Sequence, residues 1–472
     1  MLQNEKRLPC TEDASAASFD IAHILKGQSV TVKAWRDQGG RLSTDALNLN
    51  DLVWPRTLPG PAFDMPLADI LDFLVESGEA LAADEAGLMR EATERMIASG
   101  DSDRGIIERA YAALPHLFQR DRLLAMIDGE LGESAALDGW KPFENRLGEA
   151  GAIRAFPARL VHILAGNAPG VAAMTIIRGA ITKGVHLLKL PSNDLFTAPA
   201  ILRIMAALDP EHQLVRSFSA VYWRGGDKAI ESRIMRPQYF DKIVAWGGEA
   251  AIRGVKDYIG PGLELVSFDP KTSIAIIAKE ALQSVSAIAD TAERAAMDST
   301  PYNQAACVSA RFHFVEAEDE DAVDAYCAEL QRRMGVERRS CSVMADPVPA
   351  ELREEIETLA QFDDLYRVWG SYEGAGLVIR SDEPVDFYPD GKIVNVVRVK
   401  RLEDALSFVT VATQTVGIYP SERKRDLRDR LASAGVQRVV TLGGAESMVV
   451  GMSHDGFYPL ARMVRWVNDE GL

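Results

Sequence analysis

The chain has 472 residues, with 52 Lys and Arg against 69 Asp and Glu, and a formal net charge of −17. A chain of that length makes two or three domains whose cores need no disulfide or metal staple. The acidic balance argues against a predominantly nucleic-acid-binding surface, and 47% hydrophobic residues exclude global disorder.

No run reads as a membrane span; in the stretch 266–278, Asp269 and Lys271 intrude. The opening MLQNEKRLPC has no apolar core, so no secretory signal is read there. The four cysteines, Cys10, Cys307, Cys327 and Cys341, form no CxxC pair, and with only 7 His no metal site is expected. Widely spaced thiols suit a reducing compartment, and a cytoplasmic location is expected.

Residues 1–70 carry short apolar pieces and the punctuation Pro55, Pro59, Gly60 and Pro61, and read as an N-terminal arm or accessory region. Leu67, Ile70, Leu71 and Leu74 then recur at helical spacing, and Pro115 is expected to bend or interrupt a later helix. Beyond residue 150 strands and helices alternate. FPARLVHILAGNAPG is a strand ending in a turn, and VAAMTIIRGAITKG is a helix with Gly184 suited to its C-terminal cap. GVHLLKLPS, SFSAVYWRGG and YFDKIVAWGG are further strands, with helices between them, one opening on Asp227. This alternation implies a mostly parallel sheet covered on both faces, with ligands at the strand-to-helix turns. A second α/β unit follows over 285–440, and a tail over 441–472.

Two places stand out chemically. Cys307, in PYNQAACVSARFH, lies between a helical and a strand pattern. A thiolate there can take an acyl group and release it again; the alternative is an ordinary core cysteine. Cys327 falls on the apolar stripe of a helix and reads as core. Asn167, in GNAPG, can donate its amide to a developing oxyanion, or can merely cap the next helix.

LAGNAPG, LLKLPSND, YNQAAC, QTVGIYPSERKRDLRDRLASAG, RVVTLGG and HDGFYPLARMVRW stand in an order that resembles the LuxC-like acyl-CoA reductases, a branch of the aldehyde dehydrogenase superfamily. The resemblance covers roughly residues 155–472. It implies an aldehyde dehydrogenase-like α/β fold with a Rossmann-type cofactor domain (71–284, including the helical lead-in), a catalytic thiol domain (285–440) and a small C-terminal oligomerisation element (441–472). It implies Cys307 as nucleophile and Asn167 as oxyanion donor, helped by the backbone N–H of Cys307.

The resemblance also places the cofactor. Lys189, Ser192 and Asn193 occupy the segment that holds the adenosine ribose, and the acid usual there is missing. A carboxylate repels a 2′-phosphate and a serine can donate to it, so NADPH is favoured, with NADH as the other candidate. Gly247 and Gly248, in WGGEAAI, look like the phosphate-contacting turn, although no complete GxGxxG occurs; WRGGD at 223–227 is analogous. In LELVSFDPKTS one register selects Glu264 as the water-activating base, while the register preferred here aligns Lys271 and puts Phe268 in the base's place. Glu264 stays a candidate acid or base. His454, in SHDG, can exchange protons near neutral pH, bind a phosphate of coenzyme A or staple a turn.

The expected activity is NADPH-dependent reduction of a fatty acyl-CoA to its aldehyde through a Cys307 thioester. Acyl-carrier-protein thioesters, an acyl-activating partner, aldehyde oxidation with NAD(P)+ to acyl-CoA or to the free acid, and a non-catalytic acyl holder are the alternatives. A homodimer or homotetramer is expected from the resemblance.

Overall fold

The computed structural model describes residues 18–100, 103–132, 134–338 and 342–470; Cys10 and Cys341 lie outside them. The chain divides into two compact units. One comprises Met1–Ser102, Ala110–Asp269 and Val450–Leu472; the other comprises Asp103–Arg109 and Pro270–Val449.

The first unit opens with β1 (Ser18–Leu25), β2 (Gln28–Arg36) and β3 (Leu42–Thr44). β1 pairs antiparallel with β2 along its whole length and touches the parallel sheet at Ile24–Ala220. Residues 18–44 are therefore part of the sheet rather than an arm, because Ile21, His23, Ile24 and Ala34 are buried against it. The helical lead-in includes Leu67–Ala83, Leu88–Ser99 and Arg120–Leu131; Pro115 falls in a 3-10 turn, Leu114–Phe118, that interrupts the run. β4 (Lys141–Glu144) and β5 (Ala150–Phe156) leave the main sheet. β6 (Arg159–Ile163), β7 (Val185–Lys189), β8 (Phe218–Val221), β9 (Lys242–Trp246) and β10 (Glu264–Phe268) then form the parallel centre.

β6 (RLVHI) and β7 (VHLLK) are buried at every position, so apolar residues point to both faces rather than alternating, and the buried His162 and His186 bond each other at 3.1 Å. The sheet order is β10-β9-β6-β7-β8-β1-β2-β3. The chain runs from β6 through β7 and β8 in one direction, then from β9 to β10 in the other. The topological switch therefore lies between β6 and β9, where such sheets open a crevice at their C-terminal edge.

The helix Pro169–Ile181 after β6 buries Ala173, Ile176, Ile177 and Ile181. Its left-handed terminal residue is Lys183, φ 55°, and not the expected Gly184. Gly184 is required for a different reason: a Cβ there would collide with the carbonyl of Ala158.

The second unit has β11 (Thr272–Ile277), β12 (Ala310–Glu316), β13 (Arg367–Gly370), β14 (Leu377–Ser381), β15 (Ile393–Val399), β16 (Thr413–Tyr419) and β17 (Arg438–Thr441). Their order is β13-β14-β15-β12-β11-β16-β17, parallel apart from β13. Cys327 is fully buried with Ala275, Val315 and Val396, as its place on the helix stripe predicts. The segment LEDALSF forms 3-10 turns, Leu402–Phe408, rather than an α-helix. After Val450 the chain returns to the first unit and ends in β18 (Arg465–Glu470), paired with β5 in a three-stranded sheet with β4. Among the described residues no helix is long and apolar enough to cross a membrane.

Candidate active site

The sequence candidates fall in both units: Cys307 in the second, the others in the first. Within the first unit, most of them gather at one edge of the parallel sheet. Asn167 is exposed in the loop after β6, and Gly247 and Gly248 follow β9, so these loops flank the switch point. Lys189 ends β7, and Ser192 and Asn193 are exposed just beyond it. A Cβ on Gly166 would collide with the side-chain oxygen of Asn193, so that glycine lets the two loops close on each other.

Lys189 is 9% exposed, and its ammonium stands 5.7 Å from the centroid of the Tyr222 ring. Burial lowers its pKa, and the charge of Glu231 opposes that shift. The carboxylates nearby are occupied. Glu231 accepts from Trp223 Nε1, Gly226 N and Tyr258 Oη; Asp227 caps the helix Lys228–Ile234; Asp194 accepts from Phe196 N and Thr197 N. Glu249 pairs with Arg253 along its own exposed helix at 2.5 Å, which directs it along the helix surface. What the edge offers is a lysine, a serine, an amide and a glycine turn, a donor set that fits the ribose and phosphates of a nicotinamide nucleotide.

Glu264 does not belong to this edge. It opens β10, and in the parallel register it sits opposite Lys242, the first residue of β9, at the other end of the sheet. It is held by Lys242 at 2.9 Å and Arg462 at 2.6 Å. Burial raises its pKa, but the bonds from the two cations outweigh this and leave it below the usual carboxylate range. The acid–base role considered for Glu264 is therefore replaced by an ion-pair role.

Phe268 ends β10 at the crevice edge and stacks on Trp246, with ring centroids 3.5 Å apart and planes 4° apart. His454 meets both rings edge-on, at 5.4 and 5.1 Å, and its backbone exchanges hydrogen bonds with Phe457. Its Nε2 is 4.0 Å from the Asp455 carboxylate. The SHDG turn is thus seated on an aromatic pair at the ends of β9 and β10.

In the second unit Cys307 is exposed in the turn before β12. The turn has unusual backbone. Tyr302, Asn303 and Gln304 all have positive φ, at 52°, 50° and 76°. Such residues cost on the order of 1–3 kcal/mol each and persist only where the surroundings hold them. Here Gln304 is fully buried and bonds both the carbonyl and the N–H of Ile393, at 2.7 and 3.0 Å. Asn303 accepts from Val343 N, and Arg311 donates to the Gln304 carbonyl and to Asp390. The segment 385–394 thus supports the thiol turn.

Two further supports were not read from the sequence. The ladders on both sides of β11 shift register next to Ser273. Its hydroxyl donates to the Cys307 carbonyl at 2.7 Å and accepts from Thr415 N at 3.3 Å. Arg438 opens β17 and donates to the carbonyls of Ala445, Gly444 and Ser447. Burial lowers its pKa, while the charges of Asp298 and Cys307 favour its charged form. Asp298, 1% exposed, accepts from Gly443 N and Ala445 N, both at 2.8 Å. Loop 443–447 is thus held from both sides, by Asp298 at its N–H groups and by Arg438 at its carbonyls. Asp298 lies on the same buried stripe as Ala292 and Ala295. A lone acid on such a stripe was the available signal; Arg438 and Ser273 look like ordinary strand-start residues.

This architecture defines an aldehyde dehydrogenase-like α/β protein. Solved structures of that kind superimpose on it. They include an NADP-dependent glyceraldehyde-3-phosphate dehydrogenase from Bacillus halodurans (TM-score 0.67, 14% identity, covering 96% of this chain and 99% of that one). An NAD-dependent benzaldehyde dehydrogenase from Corynebacterium glutamicum superimposes equally (TM-score 0.67, 15% identity, 95% and 98%). The acyl-CoA reductase (LuxC) family model matches residues 62–466, and the chain belongs to that family. It is similar to a long-chain acyl-protein thioester reductase of Photorhabdus laumondii, 32% identical over 369 residues, 75% of this chain and 72% of that protein.

Proposed function

We propose that the protein reduces a long-chain acyl thioester, presented as acyl-CoA or on a carrier protein, to the aldehyde with NADPH. The observation that carries this reading is the exposed Cys307 on its strained, multiply anchored turn, in a chain of this family. The Cys307 thiolate attacks the acyl carbonyl. The side-chain amide of Asn167 and the backbone N–H of Cys307 are assigned to the oxyanion, and the carrier thiol departs with a proton. NADPH, when bound, supplies the hydride that reduces the enzyme thioester. The thiohemiacetal then releases aldehyde, and the sulfur leaves as thiolate. Lys189, Ser192, Asn193 and the Gly247–Gly248 turn are assigned to binding and orienting the nucleotide.

The apolar Phe268 favours reduction over hydrolysis. A phenyl ring stands where the preferred sequence register puts the water-activating base, and Glu264 is ion-paired at the opposite strand end. Loss of a water-activating base suits a reductase, because activated water would consume the acyl-enzyme. The relatives named for acyl-protein substrates support carrier-bound acyl groups alongside acyl-CoA. The test follows nicotinamide absorbance and trapped aldehyde with NADPH or NADH and with acyl-CoA or acylated carrier protein as donors. Acyl-dependent loss of NADPH with matching aldehyde supports the reading. Free fatty acid as the product, or no turnover with any donor by folded protein, overturns it.

A further inference from the structure

The hairpin of β1 and β2 places a charged residue at the cofactor edge from outside the family match, which begins at residue 62. β1 runs antiparallel to β8 and β2 antiparallel to β1, so β2 runs in the direction of β8. Two reversals bring Arg36, the last residue of β2, to the same edge as Lys189 and the loop after β7. Its guanidinium donates to the carbonyl of Ser192 at 3.2 Å and to that of Gly40 at 3.1 Å. Those bonds use two of five N–H donors, and the others remain available on an exposed side chain.

Tyr222 marks a second cation beside it. This buried tyrosine donates its hydroxyl to the Leu42 carbonyl at 3.3 Å, and the charges of both Arg36 and Arg224 act on it. Arg224 is exposed in the WRGGD turn. Asp37, next to Arg36 in the chain, is engaged within its own turn: its carboxylate accepts from Gly39 N and Arg41 N, both at 2.9 Å. Arg36 therefore bonds the Ser192 loop, where a ribose-binding carboxylate would otherwise stand, and Arg224 lies in the turn whose Gly225 adjoins the Lys189 ammonium.

We propose that Arg36, with Arg224, is the specificity-determining contact for the 2′-phosphate of the nucleotide, gripping it beside Ser192. Arginine suits this task because its planar fork matches phosphate oxygens. The inference rests on the NADPH reading above and names the residues that would enforce it. It also gives the N-terminal hairpin a role in cofactor choice.

The test measures dissociation constants of NADP+, NAD+, 2′,5′-ADP and 5′-AMP by calorimetry for wild type, Arg36→Gln, Arg36→Lys and Arg224→Gln. Arg36→Gln is expected to weaken NADP+ and 2′,5′-ADP by about ten- to hundredfold, the loss of one charge-assisted contact, and NAD+ and 5′-AMP by less than about twofold. Arg36→Lys is expected to recover part of the loss, and Arg224→Gln to show a smaller loss of the same selectivity. Thermal melting checks that each variant is folded. Equal losses for phosphorylated and unphosphorylated ligands, or no loss in a wild type that prefers NADP+, overturn the Arg36 assignment alone. A wild type that does not prefer NADP+ overturns the cofactor reading and this inference with it.

Discussion

Asp298 allows a quantitative test of how loop 443–447 is held. The carboxyl is buried at the end of the helix Val285–Ser299, and burial pushes its pKa up from 3.8 to about 6 against the pull of two backbone N–H groups and Arg438. A folded-state pKa above the unfolded one means that the folded state binds the proton more tightly. This contribution to stability is complete below about pH 4 and is lost as pH rises through about 6. The full effect is about 3 kcal/mol, and about 1.3 kcal/mol of it falls between pH 5 and pH 7.

Asp298→Asn removes the titration while keeping the shape. Its stability relative to wild type should therefore improve by about 1.3 kcal/mol between pH 5 and pH 7, whatever constant offset the amide introduces. Glu446, whose pKa is raised by burial and by Asp298, shifts the comparison in the same direction. Hydrogen exchange of peptides from β16 and β17 reads the opening free energy of this region, and comparison at equal pH cancels the intrinsic exchange rate. The expected change in the protection ratio is about tenfold. A ratio that does not move, or moves the other way as for a carboxylate stabilised by its ion pair, would refute the reasoning.

Arg438→Met should slow alkylation of Cys307 by iodoacetamide at neutral pH by about three- to tenfold, since a neighbouring cation favours thiolate; Arg438→Lys should restore most of the rate. Glu130→Ala leaves the buried Arg178 without its 2.9 Å partner and Leu460 N without its acceptor, and should cost about 3–5 kcal/mol by urea denaturation. A cost below about 1 kcal/mol would show that water or a neighbour replaces the carboxylate. Gly166→Ala should displace Asn193 and weaken nucleotide binding by about tenfold, with little change in melting temperature. Unchanged affinity would remove Asn193 from the nucleotide site.

Much of the fold was legible because the chain alternates apolar-rich strands with helices, and because Leu160 and Val161, like Leu187 and Leu188, are apolar at successive positions and mark strands buried on both faces. Asp227 was legible as a cap because its side chain bonds the first N–H groups of its helix. The exposed position of Cys307 followed from its place between a helix and a strand. The N-terminal hairpin was not legible. Val30, Val32 and Ala34 do alternate with Thr31 and Lys33, but β2 is exposed at most positions and the hairpin joins the sheet through a distant pair, Ile24–Ala220, that local spacing does not encode. Arg36 and Ser273 act through long-range partners, and Arg438 through the carbonyls of a loop six to nine residues on, none of which periodicity encodes. Glu264 was misleading because LEL matches a catalytic motif locally, while the direction of β10 carries that residue to the wrong end of the sheet.

The central claim is a covalent acyl-enzyme on Cys307. Its most direct test is intact-protein mass spectrometry after mixing the purified chain with a long-chain acyl-CoA and no nucleotide, followed by addition of NADPH. The account predicts one added acyl group on wild type, none on Cys307→Ala, and discharge as aldehyde when NADPH is added. Aldehyde formed by the Cys307→Ala variant, or an acyl group carried on another residue, would contradict it.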